Sequence, residues 1–381
     1  RPAFSLNSAM TSDHCQYSPH PSVELLTQQI QSANTLTRSI IENLAPGKEL
    51  VPQLATLNPP HWEFAHITWF HEFWIHRKGR QEHPPLYKDA DALFNSSTVA
   101  HADRWSIPLV SLESILRYNR EVCNKTSELL SKPLSDEDAY FIQLVIHHYD
   151  MHNEAFAIMW QALEYPMPFQ PYSVSTKTVF NKEFIEFSKT DMTLGSLPQQ
   201  GFIFDNEKWQ HPLTVEPFAI SSSAVSNEQY REFVLAKDDE AMPKHWKYEA
   251  GVWYERFFDQ WRVMDDQQAV RHIHYEDAVE YATQQHLRLP TEAELTLLMA
   301  ANHNDWQASD LWEWTSSPFL PFAGFTPDPY LDYSKPWFDG TYQVLKGWSP
   351  FTVERMRRLG FRNFYQTKRN DIFSGFRVCR L

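Results

Sequence analysis

His148 and His152 are the residues of this chain best suited by type and spacing to do chemistry. They stand four apart in His148-Tyr149-Asp150-Met151-His152, inside a strongly helical segment. Imidazoles at that spacing fall on one helix face, within reach of one metal ion. His66, in Phe64-Ala65-His66-Ile67-Thr68-Trp69-Phe70, would add a third from another helix. Three imidazoles leave coordination positions open, which is the pattern of a catalytic metal rather than a structural one, and the set suits zinc as well as iron. No Glu directly follows His148, so the helix-borne general base of zinc proteases is missing. Glu154 cannot share the face of His152 and reads as a supporting or solvent-exposed group. His61, His71, His76, His101 and His147 fall off the stripes or in loops and read as surface residues.

The elements that must position these histidines are helices. Ser22 can cap a first helix carrying Leu25, Leu26, Ile30, Ala33, Leu36, Ile40, Ile41 and Leu44 at helical period. A second runs from about His61 to His76 behind Pro59-Pro60, with Trp62, Ala65, His66, Trp69 and Phe73 as its inner stripe. A polar stretch follows from Lys78 to Pro108, then a third helix from Ser111 to Leu130. Ser135 and Asp138 form a capping box for a fourth, which ends before Pro166. Its stripe is Phe141, Val145, His148, His152, Phe156, Met159 and Leu163, so all three histidines point into a bundle interior. The prolines of 166–171 mark a linker. Beyond it, short strand-like pieces, helices near Glu276–Gln285 and Thr291–Ala301, and long loops from Trp306 to Pro350 predict an α+β domain with much irregular structure.

Composition narrows the function classes. At 381 residues, 42% hydrophobic and 22% charged, the chain reads as two globular, soluble domains. No apolar run approaches the ~20 residues that cross a bilayer, and no secretory signal is visible. The residues before Met10 read as an addition to the native chain. Cys15, Cys123 and Cys379 are too scattered for a disulfide framework or thiolate cage, which points to a reducing cytoplasm. A net charge of −14 argues against nucleic acid and anionic membrane as partners and suits a cationic small substrate. With 15% aromatic residues, some rings are free to line a pocket for a cation. Two later stretches carry further chemistry. Pro329-Tyr330-Leu331-Asp332-Tyr333-Ser334 offers phenols for proton donation or substrate holding. The run from Arg362 to Arg377 mixes amides and charges that could clamp a carboxylate.

Taken together, these segments resemble a known family. The Ala65-His66 helix, His148-xxx-His152-x-Glu154, Phe202-Ile203-Phe204-Asp205-Asn206-Glu207 and Leu289-Pro290-Thr291-Glu292-Ala293-Glu294 are similar to motifs of the EgtB-type sulfoxide synthases of ergothioneine biosynthesis. Leu311-Trp312-Glu313-Trp314-Thr315-Ser316-Ser317 and Arg362-Asn363…Gly375-Phe376-Arg377 extend the match, which spans about residue 20 to 381. The resemblance implies a DinB-like four-helix bundle over 20–165 and a C-type-lectin-like domain, like the formylglycine-generating enzyme, over 172–381. It implies mononuclear Fe(II) on His66, His148 and His152, and O2 as co-substrate. It also implies attachment of a chalcogen donor to the imidazole of hercynine, the trimethylated betaine of histidine. By motif position Tyr330 resembles the tyrosine that supplies a proton in the oxygen step, Tyr333 and Asn363 resemble residues that hold hercynine, and Arg369 one that binds the donor. Arg104, Met151, Phe364 and Tyr365 fall in the stretches where substrate contacts are expected.

Departures from the family pattern gather at the expected donor site. Met151 stands where Gln is frequent, Tyr365 where users of γ-glutamylcysteine carry Asp, and Lys346-Gly347-Trp348-Ser349-Pro350 replaces Arg-Gly-Gly-Ser-Trp. The stretch from Leu93 to Trp105 lacks a Tyr-Tyr-Glu run. The pattern is closer to SenA, the selenoneine synthase branch, whose donor is a selenosugar. The other readings are an EgtB-type synthase using cysteine or γ-glutamylcysteine, a DinB-like zinc thiol transferase, and a non-catalytic lectin-like binding protein. Formylglycine generation is disfavoured, because the C-terminal domain has Cys379 alone where a pair is expected. The methyltransferase domain of OvoA proteins is missing. A monomer or homodimer is expected.

Overall fold

The computed structural model describes residues 20–108, 111–174, 183–197, 201–237, 242–301 and 305–381; Met10 and Cys15 lie outside them. The chain divides into two compact units. The first holds the described residues up to 156 with 197–203 and 327–332, and the second holds 157–196, 204–326 and 333–381.

The first unit is helical, as expected: α1 (Val23–Glu42), α2 (Pro60–His71), a short α3 (Ala90–Phe94), α4 (Leu112–Leu130) and the larger part of α5 (Asp136–Leu163). Ser22 and Ser135, read as caps, do cap, and so does Ser111, read only as the start of its helix. Ser22 Oγ accepts from Leu25 N at 3.2 Å, Ser111 Oγ from Ser114 N at 3.3 Å and Ser135 Oγ from Asp138 N at 3.0 Å. These bonds satisfy amides that a helix start leaves unpaired. Pro60 opens α2 where its missing N–H costs nothing. Every α2 residue except His61 is buried, so this helix lies in the middle of its unit rather than on its surface. It continues as a π-helical turn from Glu72 to His76. The polar stretch after it contains α3 and a 3-10 turn, His101–Trp105.

His71 and His147 are not surface residues, contrary to the sequence reading. His71 is 1% exposed and sits in a closed polar chain inside the bundle. Thr126 Oγ1 donates to the Val122 carbonyl at 3.1 Å, so His71 Nε2 and His76 Nε2 both donate to it, at 2.7 and 2.8 Å. His71 Nδ1 then accepts from the Tyr149 hydroxyl at 2.8 Å, and that oxygen accepts from Asn34 Nδ2 at 3.0 Å. A buried polar group is tolerated when it is bonded in this way. Burial, then the neighbouring His76, hold the His71 imidazole well below its usual range. His147 stacks on Phe202, with centroids 4.5 Å apart. Helical periodicity could not reveal these positions, because partners from several elements cover the outer faces of α2 and α5.

The second unit is α+β. Its strands are β1 (Phe184–Phe187), β2 (Thr190–Leu194), β3 (His211–Val215), β4 (Phe218–Ser221), β5 (Trp246–Glu249), β6 (Val252–Phe257), β7 (Gln260–Val263), β8 (Leu287–Arg288), β9 (Trp312–Pro318), β10 (Tyr342–Gly347), β11 (Asn363–Gln366), β12 (Ser374–Gly375) and β13 (Cys379–Arg380). Its helices are α6 (Asn227–Leu235), α7 (Tyr275–Gln284) and α8 (Glu292–Ala301). One sheet runs β1-β4-β13-β8 and another β11-β10-β9-β12. β2 pairs with β3, and β5, β6 and β7 form a meander. α7 and α8 lie where the sequence placed them. α6 was not foreseen, although Ser226 and Gln229 form the capping box that starts it. The expected loops of 306–350 contain β9 and β10, the two inner strands of their sheet.

Strands this short give little cooperativity, and buried ion pairs tie the unit together. Arg377, wholly buried, meets Glu313 at 2.6 Å and donates to the carbonyls of Ser221 and Ser222, both at 3.1 Å, and of Gln307 at 2.9 Å. Arg362 meets Glu292 at 2.7 Å and Arg358 meets Glu207 at 2.7 Å. Removing one partner from a fully buried pair costs about 3–5 kcal/mol, because the other charge stays behind unpaired. Most of the C-terminal motif residues therefore carry architecture.

His245 and His272 form a second buried titratable pair, with ring centroids 4.7 Å apart. Burial first, then Arg271 and Arg256, lower the His245 imidazole to about 3. Burial, then His245, hold His272 well below its usual range. In the unfolded chain both take a proton near pH 6.5. Their contribution to stability is thus full above about pH 6.5 and is lost as pH falls below it, at roughly 1.4 kcal/mol per pH unit for each group. Urea unfolding between pH 7 and pH 5 should show His245→Phe losing stability less steeply than the wild type; parallel slopes would contradict this assignment.

Candidate metal centre

Two helices of the first unit present the three expected imidazoles to one point. His66 comes from α2, and His148 and His152 come from successive turns of α5. One nitrogen from each lies within 4.8 Å of the others. Ring centroids are 5.2 Å apart for His66–His148 and for His66–His152, and 4.3 Å for His148–His152. Among the described residues this is the cluster of metal-ligating type. A larger hollow of about 950 Å³ along α1, lined by Thr27, Gln31 and Ser39, holds no such cluster.

Hydrogen bonds fix the tautomers. His66 Nδ1 donates to the Phe94 carbonyl at 2.8 Å, and His152 Nδ1 donates to Glu63 Oε1 at 2.7 Å. Each bond leaves the Nε2 lone pair free for a metal. The Nε2 atoms of His148 and His152 are 3.1 Å apart. Two donors about 2.1 Å from one ion at a right angle would stand about 3.0 Å apart, so the spacing fits an ion with adjacent ligand positions. His148 Nδ1 is buried and has no hydrogen-bond partner. Its ring is held instead by Phe70, stacked face to face at 3.6 Å. Burial, then the neighbouring His152, lower His66 to about 3. Burial, then His152 and His66, hold His148 well below the usual range. Both rings stay neutral, which is the ligating form. The residues therefore fit a divalent ion of the imidazole-binding class, iron or zinc.

Tyr330 belongs to the same unit. Its ring meets Phe70 edge-on at 5.0 Å and lies 5.9 Å from Trp74, one ring removed from His148. Burial, then Asp332, push its phenol well above the usual range, so it keeps its proton. A cavity of about 230 Å³ is lined by Trp69, Phe70, Phe73, Trp74, Asn95 and Tyr330. Arg104 lies 4.3 Å from the Trp62 ring centre, and Trp62 stacks on His66 at 5.3 Å. Met151 is half-buried on α5 between the two histidines.

The remaining candidates belong to the second unit. Tyr333 stacks on Phe204 at 4.2 Å. Asn363 Oδ1 accepts from Phe364 N at 2.9 Å, and Phe364 packs flat on Phe319 at 4.0 Å. Arg369 is paired two-pronged with Asp371 at 2.7 and 2.8 Å, with its guanidinium 5.0 Å from the Tyr365 ring. Sequence reasoning missed Glu63 and Asn58. The signal was available: Glu63 is the one acid in α2 and stands one turn before His66.

Residues 185–310 match the sulfatase-modifying factor enzyme 1-like domain, so the second unit has the formylglycine-generating-enzyme-like, C-type-lectin-like fold. The structure of PvdO from Pseudomonas aeruginosa aligns over 56% of this chain and 99% of its own, at 18% identity and a TM-score of 0.35. Hercynine oxygenase of Mycolicibacterium thermoresistibile is 26% identical over 95% of this chain and 95% of its own length. Hercynine oxygenase of Mycolicibacterium smegmatis is 26% identical over 93% and 98%. Ergothioneine biosynthesis protein 1 of Schizosaccharomyces pombe is 29% identical over 38% of this chain and 23% of that protein. The chain is thus similar to hercynine oxygenases along nearly all of its length, with a sulfatase-modifying-factor type of domain after its helical unit.

Proposed function

We propose that this protein is an Fe(II)- and O2-dependent oxidoreductase that joins a chalcogen donor to the imidazole carbon of hercynine, and that it forms a C–Se bond from a selenosugar, as a selenoneine synthase does. The convergence of His66, His148 and His152 carries this reading, together with similarity to hercynine oxygenases over 95% of the chain. A ferrous ion on the three imidazoles would supply O2 activation at its open positions.

The chain's own residues would do the rest. Tyr330, protonated at neutral pH, is the proposed proton donor to a strongly basic reacting oxygen. The aromatic cavity beside it suits a trimethylammonium head, which is drawn to ring faces. Tyr333, Asn363, Phe364, Met151 and Arg104 are proposed to hold and orient substrates, replacing a chance encounter with a fixed one. Two observations favour a neutral donor. The Arg369 fork, which could clamp a donor carboxylate, is already taken by Asp371. Tyr365, in contact with it, is uncharged where users of γ-glutamylcysteine carry Asp. The thiol reading draws on the yeast relative named for ergothioneine biosynthesis. The free thiols of Cys123 and Cys379 fit a cytoplasmic setting.

The deciding assay loads the protein with Fe(II), supplies hercynine and O2, and offers selenosugar, cysteine and γ-glutamylcysteine in parallel, with products identified by mass. A selenium product is expected; a sulfur product formed faster would move the protein to the ergothioneine type. His148→Ala should leave the dialysed protein without stoichiometric metal, measured by elemental analysis, and without product. Tyr330→Phe should lower the coupled product by about a hundredfold or more while donor oxidation continues. An unchanged product yield would remove Tyr330 from this role.

A further inference from the structure

The three imidazoles are backed unequally. His66 leans on a peptide carbonyl, His148 on an aromatic face with its Nδ1 unpaired, and His152 on a carboxylate. That carboxylate, Glu63, is 1% exposed, between the buried rings of Trp62 and Phe64 in sequence. A buried carboxylate is costly unless something needs it there. Its bonds are to His152 Nδ1 at 2.7 Å and Asn58 Nδ2 at 3.4 Å. Asn58 Oδ1 in turn accepts from Arg104 Nη1 at 2.8 Å. The acid is therefore aimed by a fixed amide and faces the outer nitrogen of a candidate ligand.

We infer that Glu63 is a positioning residue that makes His152 the anchoring donor of the metal centre, with Asn58 and Arg104 holding it in place. The inference rests on the three-histidine metal site of the preceding reading. A carboxylate that accepts the Nδ1 proton locks the tautomer with Nε2 toward the metal, fixes the ring plane and raises donor strength. His148 has no such support, so the site is graded, with one strong donor, one intermediate and one weak. The grading has a source on α2 itself. Glu63 and His66 are three residues apart, so one helix supplies a ligand and the group that steers a ligand of α5.

Co(II) titration of the metal-free protein, followed by its visible spectrum, tests the inference. Glu63→Gln keeps the shape and removes the charge. We expect its Co(II) affinity to fall by about 10–100-fold with a shifted spectrum, while urea unfolding of the metal-free variant shows it folded. Equal affinity and an unchanged spectrum in a folded Gln variant would overturn the role of Glu63. A wild-type protein that binds no Co(II), or binds it as well after His148→Ala, would instead sink the metal site itself. If the Gln variant does not fold, ¹⁵N-imidazole NMR of the Zn(II)-loaded wild type decides. A His152 with Nδ1 protonated and Nε2 on the metal supports the inference, and Nδ1 on the metal refutes it.

Discussion

Keeping neutral imidazoles inside an apolar bundle is the constraint on which the first unit depends. A charged histidine could not stay in that interior, and a neutral one needs partners for two ring nitrogens. The histidines of the bundle meet this demand unequally, and His148 leaves its buried Nδ1 without a partner. His71 closes a chain from Thr126 to Asn34, His66 uses the carbonyl of Phe94, and His152 uses Glu63. What remains is a set of lone pairs aimed at one point, with few protein donors to satisfy them. A metal ion is the natural occupant of such a point, because ligation consumes the lone pairs that packing has isolated.

The same logic shapes the helices. α2 is buried nearly all round, so it cannot slide without exposing Trp62, Phe64 and Phe70 to water. Each such side chain contributes roughly 1.5–3 kcal/mol of burial. His66, the proposed ligand, and Glu63 therefore ride on a helix that is packed on nearly every side. The Phe94 carbonyl that backs His66 ends α3, a five-residue helix, so even the irregular stretch after α2 has a positional task.

The second unit solves a different problem. Its strands are short and many of its connections are irregular, so backbone ladders alone give it little rigidity. Buried arginines supply what the ladders lack: Arg377 gathers the carbonyls of Ser221, Ser222 and Gln307 around its bond to Glu313, and Arg362 gathers those of Asn206 and Leu320 around Glu292. A guanidinium offers five donors in a rigid plane, so one side chain can fasten several loops at once. The acidic and arginine residues that make the C-terminal motifs recognisable are largely these fasteners.

The sequence by itself determined the four main helices of the first unit, the serine caps of α1 and α5 and the placing of His148 and His152 on one helix face, because a period of 3.6 and an i,i+4 spacing are local properties of the chain. It also pointed to α7, α8 and the α+β character of the second unit. Strands β9 and β10 escaped it because their burial comes from strands and helices distant in sequence, so their residues alternate weakly. Only the tertiary structure decided which nitrogen of His66 and of His152 faces inward, since that depends on Phe94 and Glu63, 28 and 89 residues from the rings they hold. It likewise decided that Arg369 is occupied by Asp371, and that His71 belongs to the interior. Periodicity says which face of a helix is apolar; what a polar atom on that face will meet is written in the folds of other segments.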